Sequence, residues 1–283
     1  MEPATTIESI RSLVGAARAQ GRKIALVPTM GALHIGHISL IEAAEKSCDY
    51  VVVSIFVNPM QFGPDEDFEK YPRPLDADLE ICRKAGADAV FAPTVEQMYP
   101  EKNITWIEVE KLTEHLCGRR RPGHFRGVTT VCAKLFNIVA PDIAFFGQKD
   151  AQQAIVVKKM VADLNMPLEI AVCPTVRESD GLAVSSRNKY LSEQQRKEAV
   201  YIYKSLDKCR QMLNTSITDV GQIIGEMRKV LQQKPSIEIE YISIVDAKRL
   251  TDIDKIAGEV LVAVAARLGP ARLIDNILID TTL

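Results

Sequence analysis

Apolar runs alternate with segments of helical periodicity through the larger, N-terminal part of the chain. Runs without polar alternation predict strands buried on both faces. These strands are Lys23–Pro28, Asp49–Val57, Asp88–Ala92, Ile143–Phe146 and Leu168–Val172. Helices are predicted after Gly36 and at Pro74–Ala85, Val128–Val139 and Ala151–Leu164. Strands that alternate with helices imply right-handed βαβ crossovers, so we expect an α/β fold with a Rossmann-like, doubly wound parallel sheet.

The pattern changes after about residue 180. Two long helices are predicted at Ser192–Leu213 and Ile217–Gln232, and three strands at Ile237–Val245, Val260–Ala265 and Ala271–Ile279. A helix pair followed by strands favours a second, smaller α+β domain. We therefore expect a Rossmann-like domain over 1–178 and a smaller α+β C-terminal lid domain over 179–283.

Composition and charge exclude several classes of protein. Hydrophobic residues make up 47% and charged residues 25%, the balance of an ordinary globular protein. The net charge of −2 and a single basic run, Arg119–Arg121, leave no broad positive face for nucleic acid. No stretch is long enough to span a bilayer and no secretory signal is visible, so we expect no membrane partner and a cytoplasmic location. The six cysteines have no paired spacing, which favours reduced, packed thiols.

The segment after the first predicted strand carries the most informative chemistry. It reads Pro28-Thr29-Met30-Gly31-Ala32-Leu33-His34-Ile35-Gly36-His37. Helix N-termini at the carboxyl ends of parallel strands bind anions, so a phosphate fits here. The segment lacks the Lys and Ser/Thr of a P-loop and does not match the dinucleotide fingerprint GxGxxG. It does match the HxGH signature of the nucleotidylyltransferase superfamily, in which two imidazoles on one helical face donate to phosphate oxygens.

Further motifs follow in an order that makes the resemblance more specific. They are Val27–Gly31, Val57–Phe62, Arg121–Val128, Phe146–Asp150 with Gln152 and Gln153, Leu182–Asn188 and Ala271–Asn276. With these motifs the chain closely resembles the pantothenate synthetase family over nearly its whole length. The family joins pantoate to β-alanine. Pantoate first attacks the α-phosphorus of ATP and releases pyrophosphate, and the β-alanine amine then attacks the pantoyl adenylate and releases AMP.

The resemblance implies a role for each matched residue. His34, His37 and Lys149 are the expected catalytic residues. Gln61 and Gln153 are expected to bind pantoate, and Gln61 also β-alanine. The expected ATP-binding residues are Met30, Gly31, Ala32, Leu33, His34, Ile35, Gly36, His37, Gly147, Gln148, Lys149, Asp150, Val176, Val184, Ser185, Ser186 and Arg187. The predicted first domain therefore binds both nucleotide and pantoate.

Mg²⁺ is expected with ATP, because ATP usually carries it, and no cage of protein ligands for a metal is visible. The resemblance also implies a homodimer formed through the larger domain. Two segments are open to interpretation as lids or as solvated surface: 119–127, which is rich in arginine, and 63–74, which is acidic and rich in proline.

Two other functions stay open at this point. A nucleotidylyltransferase would share His34 and His37 but would keep the nucleotide in its product. A non-catalytic nucleotide sensor could use the same scaffold, since a fold does not establish chemistry. Lys149 and the set Ser185, Ser186 and Arg187 argue against the sensor.

Overall fold

The structure, a computed structural model, describes residues 1–64 and 66–281. Residue 65, in the candidate lid segment 63–74, and residues 282 and 283, at the end of the predicted second domain, lie outside the described residues. Contacts divide the chain into two compact units. The first unit comprises Met1–Glu110, Arg120–Gln148 and Gln153–Pro174, and the second comprises Lys111–Arg119, Lys149–Gln152 and the described part of Thr175–Leu283. The domain bounds 1–178 and 179–283 stay a prediction.

The first unit is built on a parallel sheet of five strands in the order β3-β2-β1-β4-β5. The strands are β1 (Ile24–Thr29), β2 (Tyr50–Ile55), β3 (Ala89–Phe91), β4 (Ile143–Gly147) and β5 (Glu169–Cys173). Ile24 and Leu26 of β1 lie in one apolar core, whereas Ala25 and Val27 lie in another. Both faces of the sheet are therefore covered, which is why this strand shows no polar alternation and why the predicted doubly wound α/β fold is confirmed.

Helices of the first unit pack on the two faces. The core that contains Leu26 also contains residues of α1 (Ile7–Ala19), α6 (His124–Val139) and α7 (Ala151–Asp163). The opposite core contains residues of α2 (Ile35–Glu45) and α3 (Leu75–Lys84). Two short helices, α4 (Val95–Met98) and α5 (Leu116–Arg120), lie between α3 and α6 in the chain. The sequence analysis did not predict α1, which begins with a reciprocal hydrogen-bonded cap between Thr6 and Ser9.

The second unit confirms the predicted smaller α+β fold. Its helices are α8 (Glu193–Asn214) and α9 (Val220–Gln232). Its antiparallel sheet has the order β6-β7-β8, with bounds Ile237–Asp246, Glu259–Leu268 and Ala271–Asp280. One apolar core joins the two helices to this sheet. Among the described residues, no helix is both long and apolar enough to cross a membrane.

The strand order brings two predicted site segments to one edge of the first sheet. Strand β1 pairs with β2 on one side and with β4 on the other. The direction of winding reverses between β1 and β4, and ligands of open α/β sheets bind at the carboxyl ends of the strands at such a reversal. Residues 30–37 follow β1 at this edge, Gly147 ends β4, and Gln148 follows it.

A buried carboxylate holds the turn between β1 and α2. Gly31 and Ala32 have positive φ values of 82° and 52°, so the chain turns sharply here. The Asp78 carboxylate of α3 accepts hydrogen bonds of 2.8 Å from each of the backbone N–H groups of Ala32 and Leu33. Asp78 is only 1% exposed, and a Cβ on Gly31 would lie 2.9 Å from its Oδ2. The turn therefore depends on a carboxylate from another helix and on the absence of a side chain at residue 31.

Asp78→Asn tests this support. An amide keeps the shape but presents an NH₂ group to one of the two N–H donors, so one hydrogen bond is lost inside the protein. We expect the free energy of unfolding to fall by about 1–3 kcal/mol, the usual cost of a buried polar group without its partner. Urea unfolding measures this change. Asp76→Asn, on the exposed side of the same helix, is the control. Equal stability of the two variants would contradict the role of Asp78.

Candidate active site

The two histidines of the HxGH motif meet at the N-terminus of α2. His34 is the N-cap residue, and its Nδ1 accepts a hydrogen bond of 3.2 Å from the Gly36 N–H. His37 Nδ1 accepts from the His34 N–H at 3.3 Å, and the ring centroids lie 4.1 Å apart. Because each Nδ1 accepts a backbone N–H, the neutral rings carry their protons on Nε2. Two imidazole donors therefore stand beside the positive end of a helix, the arrangement that suits a phosphate.

Gly36 makes this arrangement possible. A Cβ at residue 36 would lie 3.0 Å from Cε1 and 3.1 Å from Nδ1 of the His34 ring. The ring thus occupies the space that any larger residue would need. Gly36 is among the expected ATP-binding residues, and the structure adds a reason for glycine at this position, which is the nearby ring of His34.

Gln61 is oriented by a buried asparagine that the sequence analysis did not single out. The Asn58 side-chain amide donates to Gln61 Oε1 at 3.1 Å and to the Gly127 carbonyl at 3.2 Å, and Asn58 is 1% exposed. Tyr99 donates its hydroxyl proton to Asn58 Oδ1 at 2.9 Å. Burial raises the pKa of Tyr99 to about 12, so the hydroxyl stays a donor at neutral pH. Gln61 Nε2 lies 3.0 Å from the Met30 sulfur, which brings two predicted site residues together.

Helix α6 packs directly on the short 3₁₀ turn Pro59–Gln61. A Cβ on Gly127 would lie 2.1 Å from the Met60 carbonyl oxygen, so only glycine allows this approach. His124 Nδ1 lies 2.8 Å from the Gln61 carbonyl oxygen, and Arg121 donates to His124 Nε2 at 2.9 Å. The ring therefore carries its proton on Nδ1 and donates it to Gln61.

Arg121 also joins the two candidate lid segments. Its Nε and Nη2 donate to the two carboxylate oxygens of Glu66 at 2.6 and 2.5 Å. This bidentate pair connects 63–74, apart from residue 65, with 119–127, and most of the latter segment is helical rather than a loop. Both interpretations of the two segments, as lids or as solvated surface, stay open.

In the second unit, Lys149 and Asp150 lie on a 3₁₀ turn, Gln148–Asp150, that leads into α7. The Lys149 ammonium lies 3.8 Å from the Asp150 carboxylate. The Lys149 side chain is 22% exposed and that of Asp150 is 49% exposed, so the lysine is the better shielded of the two charges. Its carbonyl oxygen accepts a hydrogen bond of 2.8 Å from the Asn276 amide.

The predicted ATP-binding residues Val176 and Val184–Arg187 lie on one folded loop in the same unit. Val184 donates its N–H to the Val176 carbonyl at 3.0 Å, so these two valines lie on paired chain segments. Ser185 caps the following 3₁₀ turn, Ser186–Tyr190, by accepting a hydrogen bond of 3.3 Å from the Arg187 N–H. Ser185, Ser186 and Arg187 therefore project from one turn, as their compact spacing predicted.

The predicted site residues are thus distributed over both units. The first unit holds Met30–His37, Gln61, Gly147, Gln148 and Gln153, and the second holds Lys149, Asp150, Val176 and Val184–Arg187. Gln153 lies half-buried on α7. The ligand assigned to each residue stays a prediction.

Sequence reasoning missed Asn58 and Asp78. Asn58 had a local signal, since it stands in the motif Val57–Phe62 beside Gln61. Asp78 had none, because the backbone groups it binds lie 45 and 46 positions away.

Metal ligands and cysteines add little to the site. Within residues 1–64 and 66–281, no group of three or more His, Cys, Asp or Glu side chains is placed to hold a metal ion. All six cysteines are free thiols. Burial raises the pKa of both Cys82 and Cys132 to about 12, which keeps these thiols protonated and unreactive.

The Glu66–Arg121 pair predicts a pH-dependent contribution to stability. Burial alone would raise the pKa of Glu66, but hydrogen bonds and charge from Arg121 outweigh it and hold the pKa below its usual value of 4.5. The contribution is therefore present above pH 4.5 and is lost as the pH falls through the lowered pKa. We expect Glu66→Gln to lower the free energy of unfolding by about 1 kcal/mol at pH 7, since the pair is partly exposed. This difference should shrink as the pH falls below 4.5.

Denaturant unfolding from pH 7 to pH 3 measures this dependence. Glu69→Gln, at an exposed position of the same segment, is the control and should show no such trend. A difference that stays constant across this pH range would contradict the assignment to the Glu66 carboxylate.

Comparisons with known proteins agree with the geometry. The family model described as Pantoate-beta-alanine ligase matches residues 2–278. The pantothenate synthetase of Moorella thermoacetica is 53% identical over 280 residues, which cover 99% of both chains. That of Thermoanaerobacter pseudethanolicus is 53% identical over 96% of both chains.

Solved structures show the same relationship. A pantothenate synthetase from Thermus thermophilus superposes with a TM-score of 0.94 at 43% identity, over 98% of this chain and 99% of that one. A pantoate-beta-alanine ligase from Francisella tularensis, solved in complex with beta-gamma ATP and beta-alanine, superposes with a TM-score of 0.80 at 35% identity, over 98% and 97%. The family model, the relatives and the paired histidines at the switch point lead to one conclusion: this chain belongs to the pantoate–β-alanine ligase family.

Proposed function

We propose that this chain is an AMP-forming carbon–nitrogen ligase that condenses (R)-pantoate with β-alanine to give pantothenate, in the biosynthesis that leads to coenzyme A. One observation of the structure carries the proposal, which is the pair of Nε2–H imidazoles at the N-terminus of α2. Family membership over residues 2–278 supports it, as does the Francisella tularensis relative, whose structure contains ATP and β-alanine.

The first step needs charge neutralisation rather than a base. The pantoate carboxylate is already anionic at pH 7, and its oxygen attacks the α-phosphorus as the bond to pyrophosphate breaks. His34 and His37 donate hydrogen bonds to the phosphate oxygens as negative charge builds up on them. Lys149, Ser185, Ser186 and Arg187 supply further cationic and hydroxyl donors in this proposal. The second step joins the β-alanine nitrogen to the acyl carbon and releases AMP.

Neutral amides suit the acid substrate. Pantoate carries hydroxyl groups and a negative charge, so Gln61 and Gln153 bind it without the repulsion that a carboxylate side chain would cause. Gln61 also contacts β-alanine in this proposal. The support for Gln61 is its fixed orientation between Asn58 and Met30.

The remaining ATP contacts are assigned by segment. Gly147, Gln148 and Asp150 face the phosphates or ribose, and Val176 and Val184 border the adenosine. Mg²⁺ would enter with ATP, and Asp150, the carboxylate of this segment, would help to hold it and so neutralise phosphate charge. The half-exposed Asp150 side chain fits such a partial role.

We also propose a cytoplasmic homodimer. The resemblance to the family supports dimer formation through the larger domain, and the edge strand β5 offers an exposed apolar residue, Val172, at 39% exposure. Light scattering of the purified protein measures the mass directly, and a monomer at micromolar concentration would contradict the proposal.

One assay tests the reaction. The protein is incubated with ATP, Mg²⁺ and pantoate while pyrophosphate is followed, and β-alanine is then added while AMP is followed. We expect pyrophosphate release to require pantoate and AMP release to require β-alanine. Nucleotide retained in the product would favour a nucleotidylyltransferase, and ATP binding without either release would favour a nucleotide sensor.

His37→Ala should lower the rate of adenylate formation by about a hundredfold, the scale of losing one transition-state donor. Single-turnover release of pyrophosphate measures this rate. His115→Ala makes the same substitution at a histidine without an assigned role and should stay close to the unmodified protein. Near-normal adenylate formation in His37→Ala would remove this residue from the mechanism.

A further inference from the structure

Strand β8 carries two adjacent buried polar residues, Asp275 and Asn276, which are 4% and 5% exposed. Leu273 and Ile277 lie in the apolar core that the sheet shares with α8 and α9. Side chains alternate along a strand, so Asp275 points towards this core and Asn276 to the opposite face. A polar pair inside a strand that is otherwise mostly apolar is costly unless each member has partners.

Asp275 holds the loop 176–187, which carries the predicted ATP-binding residues Val176 and Val184–Arg187. Arg177 donates to its two carboxylate oxygens at 2.6 and 2.9 Å. The same guanidinium donates to the Gly181 carbonyl at 3.1 Å and lies over the Tyr203 ring, 4.4 Å from its centroid. A Cβ on Gly181 would lie 2.1 Å from the Tyr203 ring, so the tip of the loop is closely packed.

Asn276 holds the Lys149 turn. Its Nδ2 donates to the Lys149 carbonyl at 2.8 Å, within the 3₁₀ turn Gln148–Asp150. The bond is made to the backbone, so it orients the residue from which the ammonium projects without touching the charge. The Asn276 N–H donates to the Asp275 carboxylate at 2.8 Å, so the residue that holds the Lys149 turn is hydrogen-bonded to the residue that holds the loop.

We propose that Asp275 and Asn276 are positioning residues for adenylate formation. Asn276 fixes the position of the Lys149 backbone, and Asp275 fixes that of the Val176–Arg187 loop. Because the two residues are adjacent on β8, both groups of phosphate donors in the second unit keep fixed positions relative to each other. The inference rests on the proposed roles of Lys149 and Arg187 in ATP binding. It adds that these two segments are aligned through a buried acid–amide pair that touches neither nucleotide nor substrate.

Asn276→Asp and Asn276→Ala test the hydrogen bond between Asn276 and the Lys149 carbonyl. Aspartate keeps the size but replaces the donor with an oxygen that repels the Lys149 carbonyl, and alanine removes the bond without adding charge. We expect the rate of pyrophosphate release to fall about ten- to a hundredfold, the range for a misplacement remote from the chemistry. The reaction of supplied pantoyl adenylate with β-alanine should fall less. Equal loss in both half-reactions would indicate damaged protein and would overturn the proposal.

A matched control exists on α6. Asn137 Nδ2 also donates to a backbone carbonyl at 2.8 Å, that of Ala133, but this bond lies within one helix that carries none of the assigned residues. Asn137→Asp should leave both half-reactions within about twofold of the unmodified protein, because the bond supports no donor of the proposed mechanism.

A double-mutant cycle with Lys149→Ala decides whether Asn276 acts through the lysine. If it does, Asn276→Asp should cause almost no further loss in the Lys149→Ala background, since there is no ammonium left to position. Independent, multiplicative losses would overturn the proposal. Near-normal adenylate formation in Lys149→Ala would also overturn it while leaving the ligase activity intact. Absence of both half-reactions in the unmodified protein would instead overturn the proposed function itself.

Asp275→Asn tests the ion pair between Asp275 and Arg177. It keeps the shape but removes the charge that pairs with Arg177, and we expect the KM for ATP to rise about tenfold with a smaller change in the KM for pantoate. If this variant does not fold, Arg177→Lys keeps the positive charge and removes the bidentate geometry. In either variant, an unchanged KM for ATP would remove Asp275 from the proposal.

Discussion

The carboxylate of Asp78 is the contact on which the turn between β1 and α2 depends. The chain must leave β1, turn through two residues with positive φ and start α2 with His34 as its cap. Such a turn exposes backbone N–H groups inside the protein, where water cannot reach them. The Asp78 carboxylate, which lies on α3, accepts hydrogen bonds from two of these N–H groups. The turn that leads to both histidines therefore does not leave these two donors unpaired.

A buried polar residue also orients Gln61, the predicted pantoate-binding residue. Gln61 lies on a short turn that has few hydrogen bonds of its own, and its side chain would otherwise sample several rotamers. Asn58 fixes the amide, Tyr99 fixes Asn58, and α6 approaches closely because residue 127 is glycine. The side chains expected to touch substrate are thus oriented by buried neighbours that do not.

The predicted phosphate donors of the second unit lie on two chain segments that are far apart in sequence. Both segments are hydrogen-bonded to strand β8. A buried aspartate in an apolar core is stable only with a partner such as Arg177, and that requirement fixes a loop. The neighbouring asparagine uses the opposite face of the strand to hold the Lys149 turn. Catalysis of adenylate formation needs donors placed before the charge develops, because donors that must reorganise during the step contribute less.

The sequence by itself determined the fold class, the order of most strands and helices and the identity of the motifs, because periodicity and short motifs are local properties. The alternation of apolar runs predicted the doubly wound sheet, and His34-x-Gly36-His37 predicted a phosphate site at the start of α2. Helix α1 was missed, although its Thr6–Ser9 cap and its buried residues Ile10, Val14 and Ala17 at helical spacing are local signals of a helix. Only the tertiary structure decided what holds the site. Asp78 reaches Ala32 across 46 positions and Asn276 reaches Lys149 across 127, and no local pattern encodes a hydrogen bond between residues that only folding brings together.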